Sequence, residues 1–125
     1  MLDPAKIDDY YKLLEAQQGL GRQYLEARTS ASEARISLYF ILTQHLPTLR
    51  RNKRNIGIEM AELMLLEEGY LEEPQRAECI DYWATYQRGT DKYKSLEKLM
   101  EANNTKIMFI MSLAKWQNTG EKYGT

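Results

Sequence analysis

A chain of 125 residues is long enough for one domain with a modest core, and its 43% hydrophobic and 28% charged residues separate it from disordered sequences. Seven glycines and three prolines are too few for a turn-rich sheet protein, so long helices are expected. A net charge of -1 creates no global field toward nucleic acid or an anionic membrane, and any such binding must come from a local patch.

Cys79 is the single cysteine, which rules out an intrachain disulfide and suits a reducing compartment. No apolar run reaches the ~18 residues that a membrane span needs. The opening MLDPAKIDDYY lacks the basic-then-apolar layout of a signal peptide. A cytoplasmic protein with no membrane contact is expected.

In chain order, Asp3 is a good N-cap and Pro4 suits the first helical position, where its missing N–H costs nothing. From there Leu13, Gln17, Leu20, Tyr24, Ala27, Ala31, Ala34, Leu38, Ile41 and His45 alternate four and three apart, a heptad-type seam. The spacing predicts one long helix ending near His45, since Leu46 precedes Pro47 and is biased out of the helical region. Thr29 and Ser30, with Glu33 completing a capping box, mark a possible restart. Small residues at Ala27, Ala31 and Ala34, followed by Leu38, let another helix come close, either within the chain or from a second copy.

Pro47 is expected to start a short helix, and Asn55 and Gly57 allow a further break. A greasy helix follows, from about Ile56 to Glu68, with Gly69 as its C′ residue. Ile56, Ile58, Met60, Leu63, Met64, Leu65 and Leu66 point almost all round it, so burial on more than one side is expected. Pro74 then opens a long last helix. Its seam runs through Cys79, Tyr82, Tyr86, Gly89, Tyr93, Leu96, Met100, Asn103, Ile107, Ile110 and Ala114, with Trp83, Leu99, Met111 and Leu113 widening the stripe. The fold class is all-α, an antiparallel helical bundle of two long helices plus one or two short helices. Residues 1–118 form the single helical domain and 119–125 a frayed polar tail. Three helices of unequal length leave part of each long one uncovered, so a homo-oligomer is expected.

Arg50, Arg51, Lys53 and Arg54 form the strongest local patch. Four cations in five residues can grip phosphates, or they can serve the dipole at the end of the first helix, where Arg50 lies closest. Nine tyrosines offer faces on which bases could stack, although core and interface packing is their commoner use. His45 has no second histidine to share a metal with, and Cys79 falls at an apolar seam position that suits a buried thiol.

Two acidic pairs remain. Glu59 and Glu62, then Glu78 and Asp81 after fifteen intervening residues, each place two carboxylates on one helix face. This spacing resembles the ExxE and ExxD signature of the all-α nucleotide pyrophosphohydrolases, the MazG-like family. The resemblance covers only these four residues and implies that they would ligate Mg²⁺ for nucleotide hydrolysis. No phosphate loop, catalytic triad spacing or metal-binding cysteine array accompanies them.

The reading that fits most of the chain is a small non-enzymatic binding protein without a cofactor: an adaptor, assembly factor or inhibitor acting through protein contacts. Such a chain suits a bacteriophage or mobile-element accessory protein. A nucleic-acid-binding accessory and the Mg²⁺-dependent hydrolase are the alternatives.

Overall fold

The computed structural model describes residues 3–52, 55–67 and 69–123. Among them there are three helices and no strand: α1, Pro4–Asn52; α2, Ile58–Leu66; and α3, Gln75–Tyr123. Asp3 caps α1 as its side chain predicts. Its Oδ1 accepts from Ala5 N at 3.1 Å, and its carbonyl accepts from Lys6 N at 2.9 Å.

α1 does not stop near His45. It runs unbroken through Thr29–Ser30 and through Pro47, so Pro47 starts no separate helix. An internal proline removes one backbone hydrogen bond and crowds the preceding turn, at a cost of about 3 kcal/mol. The seam continues past it to Leu49, which is 1% exposed, with Leu46 half-buried. Each fully buried leucine contributes about 1.5–3 kcal/mol, enough to hold the helix across the proline.

α2 is shorter than its apolar run suggests. Gly57 is its N-cap and Glu67 its C-cap. Gly69 takes the left-handed conformation (φ 86°) one position later than a C′ residue would. Burial on more than one side is not met within the chain. α2 buries Ala61, Glu62 and Leu65, while Met60 and Leu63 stay 52% and 54% exposed. α3 starts directly after Pro74, whose carbonyl accepts from Glu78 N at 3.1 Å.

The chain forms two compact units, one from the stretches Met1–Glu26 and Lys92–Thr125, the other from Ala27–Asp91. In the Ala27–Asp91 unit all three helices supply one core, built on Leu38, Leu42, Leu49, Ile56, Ala61, Leu65, Leu71 and Cys79. Ala27, Ala31 and Ala34 are buried there too. α3 reaches them at Gly89, where a Cβ would lie 2.8 Å from the Ala31 Cβ and 3.0 Å from the Ala27 carbonyl oxygen.

The other unit has only α1 and α3. Asn103 Nδ2 donates to the Leu13 carbonyl and to Gln17 Oε1, both at 3.0 Å, and Gln17 Nε2 donates to the Met100 carbonyl at 3.2 Å. Tyr24 donates to Glu97 at 3.1 Å and meets Tyr93 edge-on at 5.8 Å. Rising numbers on α1 meet falling numbers on α3, so the helices are antiparallel in this unit. Leu96, Ile107 and Ile110 are buried between them. A two-helix unit has no third element to cover its flanks, and Ile7, Tyr11, Met108, Phe109, Met111 and Trp116 remain exposed.

Candidate functional site

Arg50 and Arg51 are exposed and both lie in the last turn of α1. The extension of α1 to Asn52 thus puts Arg51, as well as Arg50, within reach of the terminal carbonyls. Neither has an ion pair among the described residues. Lys53 and Arg54 lie outside the described residues.

The four carboxylates of the pyrophosphohydrolase-like pattern do not gather. No group of three or more His, Cys, Asp or Glu side chains placed to hold a metal occurs among the described residues. Glu59 and Asp81 are exposed, and Glu78 accepts from the Tyr82 hydroxyl at 2.8 Å. Glu62 turns inward, 1% exposed, to an ion pair with Arg35. The Arg35 guanidinium in turn sits 5.1 Å from the centre of the Tyr86 ring. A carboxylate taken out of water needs such a partner, and Glu62 Oε1 is left without a hydrogen bond. Glu62 is therefore committed to structure.

The tyrosines are mostly packed. Tyr82, Tyr86 and Tyr93 are half-buried, and Trp83 stands 6.0 Å from Tyr86. His45 is half-buried and meets Tyr70 edge-on at 5.8 Å. Cys79 is fully buried, and desolvation, reinforced by the Glu78 carboxylate, pushes its thiol up from the ordinary range. A buried thiol kept protonated is a poor nucleophile.

Two grooves lie in the two-helix unit. A groove of about 590 Å³ runs between α1 and α3, lined by Lys6, Asp9, Lys12, Leu13, Thr105, Lys106, Phe109 and Ile110. Leu13 and Ile110 come from the packed seam, and Phe109 stands 60% exposed. Lys12 is held at 3.0 Å by Asp8, one turn away, which raises its pKa. Lys6 and Lys106 have no ion pair among the described residues. Three lysines against Asp9 in the lining, and Asp8 paired with Lys12 beside it, leave the groove with a net charge of +1. A second groove, of about 290 Å³, lies against Ile7, Tyr10, Tyr11, Ile110, Met111 and Ala114. The lysines come one or two at a time from segments about a hundred residues apart, so they form no run along the chain. The apolar residues just outside the α3 seam were the available signal.

No helix among the described residues is long and apolar enough to cross a membrane. No family model matches the chain, and neither does any curated protein or solved structure.

Proposed function

We propose that the chain is a small non-enzymatic binding protein that acts through protein contacts and self-associates, built as an antiparallel bundle of two long helices and one short one. The observation that carries this reading is the set of large apolar side chains that the chain leaves uncovered beside its grooves, with Phe109 at the lysine-lined groove of the two-helix unit as the clearest case. Concentrated apolar surface with a charged rim is characteristic of protein interaction sites. Light scattering at micromolar to 100 µM chain tests the reading. A mass above 14.7 kDa that falls to that value on Phe109→Asp supports it. A constant 14.7 kDa for the unaltered chain refutes self-association.

A second reading rests on Arg50 and Arg51, exposed at a helix end and without an ion pair among the described residues. It is binding to a phosphate backbone, with Lys53 and Arg54 next in the sequence. Titration with a single-stranded oligonucleotide over a salt series tests it. The log–log slope should flatten by roughly one unit for each phosphate contact removed. Affinity unchanged by Arg51→Glu would end this reading.

A further inference from the structure

Self-association, as just read, leaves open which surface meets which. The lysine groove is net cationic, +1 with Asp8 counted against its partner Lys12, and Lys6 and Lys106 supply the positive charge. The exposed face of α2 carries the opposite pattern. Glu59, Met60, Leu63 and Glu67 are all exposed, and at 100° per residue they fall within about a quarter of the helix circumference. Along the helix axis Met60 and Leu63 stand between Glu59 and the C-cap residue Glu67, and the two carboxylates give that face a net charge of -2. Groove against groove would oppose two cationic surfaces, and α2 against α2 two anionic ones. Like charges facing each other in an interface cost several kcal/mol, so both arrangements are disfavoured. Size agrees as well. The nine residues of α2 span about 13 Å, and the α1 wall of the groove from Lys6 to Leu13 spans about 10 Å, both at ~1.5 Å per residue. An amphipathic helix seated by its apolar residues in a groove, with complementary charges at the rim, is an established mode of recognition.

We infer that the groove between α1 and α3 binds α2 of a second copy of this chain, with Met60 and Leu63 against Leu13, Phe109 and Ile110, and Glu59 and Glu67 against Lys6 and Lys106. The inference rests on the self-association reading and adds the identity of the two surfaces.

A charge swap on the full-length chain tests it. Lys6→Glu with Lys106→Glu, and separately Glu59→Lys with Glu67→Lys, should each weaken self-association by more than about 100-fold. An equimolar mixture of the two variants should associate again, because each reversed groove then faces a reversed helix. A single chain carrying all four changes should also self-associate. The altered side chains are exposed, so far-UV circular dichroism should be unchanged. If a reversed variant does not fold, the neutral pairs Lys→Gln and Glu→Gln at the same positions provide the same comparison with smaller effects. Reversed variants that keep the wild-type mass overturn the inference and leave self-association standing through another face. Dissociation without recovery in the mixture overturns α2 as the occupant. A wild-type chain that stays at 14.7 kDa overturns both the inference and the reading beneath it.

Discussion

Gly89→Ala sets two opposing effects against each other, and the packing of α3 on α1 decides the sign. Replacing an interior helical glycine by alanine ordinarily gains about 0.8–1.0 kcal/mol. At Gly89 the new methyl would lie 2.8 Å from the Ala31 Cβ and 3.0 Å from the Ala27 carbonyl oxygen. Carbon atoms prefer about 3.5–4.0 Å. Neither neighbour is the movable tip of a long side chain, so the backbones must separate, at about 1–3 kcal/mol. The net expectation is a loss of about 0–2 kcal/mol, which at this chain length lowers Tm by up to roughly 10 °C. Gly19→Ala and Gly21→Ala are the controls. No neighbouring atom lies within 4 Å of either added Cβ, so each should gain up to about 1 kcal/mol. Thermal melts followed by circular dichroism give all three values. Ala31→Gly combined with Gly89→Ala should recover about 1 kcal/mol relative to the sum of the single changes, because the closest contact is relieved while the Ala27 oxygen stays. A Gly89→Ala protein that melts higher, as the controls should, would refute the close approach of the two helices.

Arg35→Ala should cost about 3 kcal/mol in urea unfolding, the lower end for a broken buried pair because Arg35 is partly exposed. Glu62→Gln should cost less, and equal losses would mean that the charge on Glu62 needs no partner. Asn103→Ala should cost about 1–3 kcal/mol by leaving Gln17 Oε1 and the Leu13 carbonyl without their donor, and an unchanged urea midpoint would contradict that bond. Burial pushes the Cys79 thiol up, and the hydrogen bond to Glu78 pushes the Tyr82 hydroxyl up. The folded chain thus keeps protons that the unfolded chain releases. Stability should be full near pH 7 and fall as pH rises through about 8.5 and beyond. Urea midpoints at pH 7 and 9.5 measure the fall, which should shrink in Cys79→Ala; a profile that rises with pH would show the sign to be wrong.

The helical seams were legible because their spacing alone places residues on one face. Every position from Leu13 to His45 on the α1 seam, and from Cys79 to Ala114 on the α3 seam, is buried or half-buried. The end of α1 was not legible. The local bias of Pro47 points to a stop, and what carries the helix onward is the burial of Leu49 in a core assembled partly from residues after it in the chain. Glu62 shows the same limit. A glutamate between Ala61 and Leu65 on the inner face of α2 hints at a buried partner, yet its pairing with Arg35 spans 27 residues and only the fold reveals it. The lysine groove depends on pairing across about a hundred residues, and periodicity contains no such information.

The Gln17–Asn103 clamp has a kinetic consequence. Its bonds join residues 83 to 90 apart, whereas Arg35–Glu62 spans 27. Closing a loop costs about (3/2)RT ln n, and the increment is small once an inner loop is already closed. The Ala27–Asp91 unit is therefore the natural nucleus. The two-helix unit then forms second, each turn of α1 finding its partner on α3 at the expense of only a few further residues of slack. In pulsed hydrogen exchange, amides of the inner unit should gain protection before those around Gln17 and Asn103; simultaneous protection would mean that the chain closes in one step. The polar clamp then sets the register late in folding, once the two helix ends are already close to each other.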